Sequence, residues 1–416
     1  YLVAETYENN GVVHRLHALD VTSGMEKAGA PVAIAARYAL NGVTTTFTDL
    51  YQLNRPGLLL ANGHIYIAFG SNCCNDYSQG WVLSYNEATL EQEGAYTTEP
   101  GKTLASIWQK GAGISADSSG NIYVETGEGY YSAGTNLSTS VIKLSQNGTA
   151  LDMRDYFTPY NFQFLNQNDK DLANGVVILP DQPGSFPHEA VAVGKQGVIY
   201  LLNRDNMGGL CTTCTAADTQ IIQEIPLSGY GNTTPVYWNN TVYFSWAKNP
   251  ITAYKLNSGM LASPPAAQSA AFPTPSHAVI TANGNSNGIV WVINGGNTLF
   301  ALDAITLVTL YNSNQAASSR DTLPPLAHFA TPIAADGQVF VGTQNSLVVY
   351  GLLNAAKLAD LIETSVTDPP ATIVNGGSFS VTETVQNVGS ATASASTTRY
   401  YLSTTRSKNG AHLLTT

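Results

Sequence analysis

Charge is what this 416-residue sequence has least of: Asp, Glu, Lys and Arg together make up 11%, against roughly a quarter in an average soluble domain. The net charge of −11 therefore rests on few groups, and no basic stripe is present to neutralise phosphates. That argues against nucleic acid and anionic membrane surfaces as partners. Apolar runs are short: VVILP (176–180) and GIVWVIN (288–294) have the length of strands, far below the ~18 residues of a membrane span. Helical periodicity is almost absent. Cysteine is scarce too, with four in the chain: an adjacent pair, Cys73 and Cys74, in GSNCCNDYSQGW, and Cys211 and Cys214 in CTTC. No signal peptide opens the chain, but YLVAETY reads as the inside of a strand, so the missing leader excludes nothing. Low lysine content, long polar loops and paired cysteines point to an extracellular or cell-surface location.

Glycine, asparagine, serine and threonine fill the space left by charge, which suits short strands joined by tight turns. One pattern recurs: a turn residue, any residue, Ile or Val, an aromatic, then usually another apolar residue. It appears as GHIYI at Gly63, GNIYV at Gly120, GVIYL at Gly197, NTVYF at Asn240, GIVWV at Gly288 and GQVFV at Gly337, with YLV at Tyr1 as a cut seventh copy. From Tyr200 the aromatics continue at Tyr243, Trp291 and Phe340, close to the ~40–50 residues of a four-stranded propeller blade. A second strand ending in a turn follows most copies, as in LHALDVTSG, SVIKLSQNG and ITAYKLNSG. Units of this kind cannot bury both faces alone, and radial packing of blades does it for them. The expected fold is all-β: a β-propeller of about seven or eight four-stranded blades over 1–353, the first incomplete. Both cysteine loops follow this recurring strand, so they are expected on the same rim.

Near Leu353 the pattern stops. A linker (354–359) leads to 360–416, where Pro369-Pro370 and Gly376-Gly377 bracket strands of period two. This reads as an Ig-like β-sandwich, partial because about 60 residues fall short of the ~100 such a fold uses.

The repeats, together with LHALDVTSGMEK, RPGLLLANGHIYIAFGS, YFTPYN and AVGKQGVIYLLNRDNMGG (192–209), resemble the pyrroloquinoline-quinone-like propeller family of secreted bacterial proteins. The tail resembles the bacterial cell-adhesion-related Ig-like module. The resemblance implies at least one further blade before Tyr1 and further strands after Thr416. Without them, both ends would expose strand edges that could pair with another copy and build filaments. In quinoprotein alcohol dehydrogenases of this kind, an adjacent cysteine pair closed as a disulfide lies against the cofactor ring, and Cys73-Cys74 resembles it. The residues around it depart from that pattern: NDYSQG follows the pair, and TSGMEKAGAP (22–31) carries no tryptophan after its turn. No motif supplies the carboxylate base or the calcium ligands such chemistry needs. The first functional expectation is a non-catalytic secreted or surface protein. It would bind an extracellular polymer or protein, or assemble with its own copies. The alternative is a periplasmic dehydrogenase of alcohols or sugars using pyrroloquinoline quinone (PQQ) and calcium, and a sugar-active propeller enzyme comes third.

Vicinal cysteines hold their Cα atoms ~3.8 Å apart, below the usual disulfide range. Local pairs, crossed pairs between the two loops and a four-thiolate zinc site all remain open. His188, Lys195, Arg204 and Asp205 form the densest polar set and are candidate channel contacts. Against this stands a plain reading in which Lys195 tops a turn and Arg204 pairs with Asp205. NDKDLANG offers Asp169, Asp171 and Asn174 as calcium ligands, or as ordinary turn residues. Glu125 and Glu128 in VETGEGYY could act as an acid–base pair. Asn136, Asn147, Asn232 and Asn239 head glycosylation sequons. The tyrosines of YYSAGT and RYYLST could stack on sugars.

Overall fold

The computed structural model describes residues 1–72, 76–227, 229–231, 233–272, 276–327, 329–352, 359–389, 391–404, 408 and 410–415. The chain divides into two compact units, Tyr1–Tyr350 and Gly351–Thr416. Among the described residues almost all regular structure is strand, and the one α-helix, Phe162–Gln167, is a short connection. Among the described residues no helix is long and apolar enough to cross a membrane.

Among the described residues seven main sheets follow one another through the first unit, antiparallel in their core strands. The second, third and fifth carry a short extra strand each (Gln52–Leu53, Gly209–Leu210 and Met260–Leu261), of which Gly209–Leu210 pairs parallel. The second runs Leu59–Ala61, His64–Ser71, Trp81–Asn86, Gln92–Thr97, and the third Ser115–Ala116, Asn121–Glu125, Val141–Asn147, Ala150–Thr158. The fourth runs Val177–Ile178, Glu189–Val193, Val198–Asn203, Gln223–Pro226, and the fifth Val236–Trp238, Thr241–Phe244, Asn249–Asn257, Ala267–Phe272. The sixth, from Val279–Asn283 to Thr309–Asn312, is also four-stranded. The first (Leu2–Glu8, Gly11–His17, Val32–Ala33) and the seventh (Ile333–Ala335, Gln338–Gly342, Leu347–Gly351) show three strands. The opening strands of the third and fourth, fifth and sixth, and sixth and seventh sheets touch, as radially arranged sheets do where they converge.

Both faces of the inner strands of the second to fifth sheets are buried, which is why those strands read as continuous apolar runs rather than alternating ones. Side chains still alternate with period two. Along His64–Ser71, Ile65, Ile67 and Phe69 pack with Leu16 of the first sheet, while Tyr66 and Ala68 pack with Ile122 and Val124 of the third. Val242 and Phe244 face back to the fourth sheet, and Tyr243 faces forward to Val290 and Val292 of the sixth. Each such fully buried side chain contributes about 1.5–3 kcal/mol relative to exposure.

The fourth sheet departs from this order. There EAVAV (Glu189–Val193) takes the second position, and the GVIYL copy forms the third strand. Its facing is accordingly reversed. Tyr200 looks back to Tyr123 and Phe157, with the Phe157 and Tyr200 rings 5.1 Å apart, while Ile199 and Leu201 look forward.

In an antiparallel four-stranded unit, the second-to-third turn and the connection to the next sheet share one rim, here called the upper. The other two turns share the lower rim. The connection after His64–Ser71, which carries Cys73 and Cys74, is a second-to-third turn. The CTTC loop after Val198–Asn203 is a third-to-fourth turn. The two loops therefore leave from opposite rims, not the same one, because the repeat copy before CTTC sits one strand later in its sheet.

The second unit contains two hairpins: Leu361–Val366 with Glu383–Asn387, and Tyr400–Leu402 with His412–Thr415. Its apolar side chains are largely exposed, among them Val374, Phe379 and Leu402.

Candidate functional site

Six sheet-to-sheet connections run along the upper rim, and each sends a side chain to one place. Arg55 comes from the first connection, Trp108 and Lys110 from the second, Asp169 and Asp171 from the third. Tyr230, His277 and Phe329 come from the fourth, fifth and sixth. The Arg55 guanidinium lies 3.8 Å from the Phe329 ring centroid and 5.3 Å from that of Trp108. Lys110 sits 5.8 Å from the Tyr230 ring. The contact of Arg55 with Phe329 joins the two ends of the sheet series, so this spot is the mouth of the propeller's centre. Just inside it, a hollow of about 430 Å³ is walled by Ala112–Ala116, Val176–Ile178 and Thr234–Val236, the opening strands of the third, fourth and fifth sheets and the residues just before them.

The mouth has an acidic half. Glu128, Asp169 and Asp171 hold carboxylate oxygens within 4.8 Å of one another. Gly127 lets the backbone come close, since a Cβ there would stand 2.8 Å from Asp171 Oδ2 and 3.1 Å from Trp108 Nε1. Lys195, at the tip of the Gly194–Gly197 turn, places its ammonium 2.6 Å from the fully buried Asp171 and also pairs with Asp169. Burial alone would lower the Lys195 pKa, but the two aspartates outweigh it and the net shift is upward. Burial, then the Asp171 charge, pushes Glu128 up to about 7. Glu125 is also pushed up to about 7 by burial, although it accepts N–H bonds from Asn174 (2.6 Å), Gly175 (2.7 Å) and Val193 (3.3 Å). Those three amides fix Glu125 against the third connection and the fourth sheet.

The basic half is less satisfied. Lys110 is 7% exposed, and among the described residues no carboxylate or hydrogen-bond acceptor meets its ammonium. Burial, then repulsion from Lys195, lowers it to about 8. Its backbone is left-handed (φ 35°, ψ 40°), as is that of Gln109 (φ 37°); such non-glycine conformations cost of order 1–3 kcal/mol each and gather at functional sites. Arg55 has no carboxylate partner among the described residues either, and its buried Nη2 makes no hydrogen bond. His277 accepts the Thr234 N–H at Nδ1 (2.8 Å), and burial lowers it to about 4, so it is neutral at pH 7.

The residues singled out in the sequence are distributed differently from expectation. Lys195 lies at the upper rim, whereas His188, Arg204 and Asp205 lie at the open end of the same hairpin on the lower rim. They do not form one set of channel contacts. Arg204 does not pair with Asp205: it reaches Asp117 of the third sheet at 3.1 Å, and Asp205 pairs with His188 at 2.9 Å. Of the calcium candidates, Asp169 and Asp171 do meet, while the Asn174 amide nitrogen donates to the carbonyls of Val193 and Gly231. Glu128 takes its place. Cys211 and Cys214 are bonded to each other, which removes both crossed pairings and the four-thiolate zinc site. Cys73 and Cys74 lie outside the described residues, as does Asn232. The Asn136 amide is committed to Glu99 (2.8 Å) and the Pro100 carbonyl (3.3 Å). Asn147 bonds Asp152 at 2.9 Å and Asn239 the Asn285 carbonyl at 3.4 Å, both exposed. Tyr130 of YYSAGT lines an upper-rim cleft of about 420 Å³ with Thr44–Thr46, Gln79 and Lys102. Arg55, Lys110 and His277 escape sequence reasoning because they lie in three different connections, far apart in the chain.

Calcium requires several hard oxygen ligands free to face it. Here the Lys195 ammonium already pairs with two of the three carboxylates, Asp169 and Asp171, so these residues do not fit a calcium-bound quinone.

No family model matches the chain, and no curated protein matches it. Similarity appears in three dimensions. One structure is the quinohemoprotein alcohol dehydrogenase ADHIIG of Pseudomonas putida HK5, 12% identical, covering 82% of this chain and 60% of that one, with a TM-score of 0.51. Another is the quinohemoprotein alcohol dehydrogenase of Comamonas testosteroni, 14% identical, covering 85% and 67%, also at 0.51. BamB of Moraxella catarrhalis is 10% identical over 84% and 82%, at 0.47. The likeness to the two dehydrogenases shows the fold: an all-β β-propeller. This chain spans 60% of one and 67% of the other, and at such identity nothing of their chemistry is carried across.

Proposed function

We propose that this propeller is a non-catalytic binding protein of the cell exterior, carried with an Ig-like adhesion-type module formed by the second unit. The observation that supports it is the use made of the mouth's acids. Glu125 is held by three backbone amides and Asp171 by Lys195, so these two carboxylates are committed to structural contacts. Arg55 and Lys110, by contrast, have no anionic partner among the described residues and lie beside aromatic rings, an arrangement suited to holding a ligand. Copies of the chain remain candidate partners through strand edges.

The test is reconstitution of the purified chain with PQQ and calcium, followed by the visible spectrum and dye reduction with alcohols and sugars. No retained cofactor spectrum and no dye reduction are expected. Stoichiometric quinone with turnover would replace this reading by the dehydrogenase one. Electron microscopy and size analysis test the assembly: fibres or defined oligomers support it, and a strictly monomeric chain removes it.

A further inference from the structure

We propose that the mouth of the propeller binds an acidic sugar, a uronate-type ring whose carboxylate is held between Arg55 and Lys110 and whose face lies on Tyr230. This rests on the binding reading above and gives it a ligand class.

Three independent observations carry it. First, Lys110 is more than nine-tenths buried yet has no acceptor among the described residues, and an isolated buried ammonium is costly unless something compensates it. Second, Arg55 is a second cation without a carboxylate, and its guanidinium is already fixed between the Trp108 and Phe329 rings. A pre-oriented guanidinium loses little freedom when it grips a carboxylate in the two-pronged geometry that suits it. Third, the segment bearing Lys110 is held in two consecutive left-handed, non-glycine conformations, so the ammonium is placed at a cost in backbone energy.

Burial is the main cause that lowers Lys110, with Lys195 and Arg55 repelling its charge and Asp171 and Asp169 attracting it. Tyr230 is 39% exposed and lies beside Lys110, offering an aromatic surface on which the C–H face of a sugar ring can lie. Phosphate would share the anion site but not the ring contact.

The experiment is calorimetric titration of the full chain with galacturonate, galactose and inorganic phosphate, with Trp108 emission as a second readout. Galacturonate should bind, phosphate should compete with it more weakly, and galactose should not bind. Arg55→Gln and Lys110→Gln should each weaken galacturonate by roughly tenfold, the usual worth of one charged hydrogen bond. If a variant unfolds, protection of the wild-type Lys110 amine from acylation by galacturonate, followed by peptide mapping, decides the matter. Equal binding of galactose and galacturonate overturns the role of the cations. Phosphate binding without galacturonate overturns the sugar. No binding of either anion overturns the site while leaving the non-catalytic reading standing, whereas dye reduction in the quinone reconstitution overturns that reading alone.

Discussion

Arg204 and Asp117 meet at 3.1 Å across the boundary between the fourth and third sheets, with both side chains almost wholly buried. Asp117 also accepts from the Tyr123 hydroxyl at 2.8 Å and from the Asn121 amide, and the Arg204 Nε–H donates to the Glu189 carbonyl. The pair is thus a bolt between blades rather than a surface ion pair. Removing one partner leaves the other charge buried, which costs about 3–5 kcal/mol. Asp117→Ala should lower the unfolding free energy by that amount in denaturant titration. The double variant Asp117→Ala/Arg204→Met should recover part of it. A double variant as unstable as the sum of the singles would show that the two do not interact.

Acid sensitivity should be traceable to His277. Its folded pKa, about 4, lies below its ordinary 6.5, with Lys110 and Arg55 as the charges facing it. Between those values the unfolded chain takes up a proton that the folded one refuses. Stability from this group is therefore complete above pH 6.5 and is lost as pH falls towards 4, by on the order of 3 kcal/mol. Glu128, Glu125 and Glu189, raised to about 7, and Glu99, raised to about 8, act in the opposite sense over the same range. The difference between wild type and His277→Gln isolates the histidine. That difference should shrink on acidification from pH 6.5 to 4, and a constant difference would exclude it.

Lys195 should be what keeps calcium away from the mouth. Lys195→Met leaves Glu128, Asp169 and Asp171 with their oxygens within 4.8 Å and no ammonium among them. The variant is expected to gain a divalent site, seen as a Tm that rises by several degrees in millimolar calcium. The wild-type Tm should not respond. A calcium response in wild type that Asp171→Asn abolishes would reverse the assignment.

Much of the propeller was legible because burial of both sheet faces forces each core strand into the same local pattern, and Tyr66, Tyr123 and Tyr243 show it directly. The Gly197 copy misled because EAVAV lacks the aromatic while GVIYL carries it. The pattern marks a buried strand but not which strand of the four it is, and that one-strand slip put the two cysteine loops on the wrong rims. Asp169, Asp171 and Lys195 were visible as polar residues in turns, yet their meeting depends on connections from different sheets. Arg55, Lys110 and His277 were illegible for the same reason: only closure of the ring brings isolated residues of the first, second and fifth connections together.

The bond between Cys211 and Cys214 should prove local and energetically small. It closes a loop of about four residues, for which chain-entropy arguments give about 2 kcal/mol. The surrounding loop is tied independently: the Tyr160 hydroxyl donates to the Ala216 carbonyl at 3.0 Å, and its N–H to Asp218 at 2.9 Å. Cys211→Ser/Cys214→Ser should therefore stay folded and lose no more than about 2 kcal/mol. Non-reducing peptide mapping should return Cys211 linked to Cys214. A peptide joining either of them to Cys73 or Cys74 would overturn the bond.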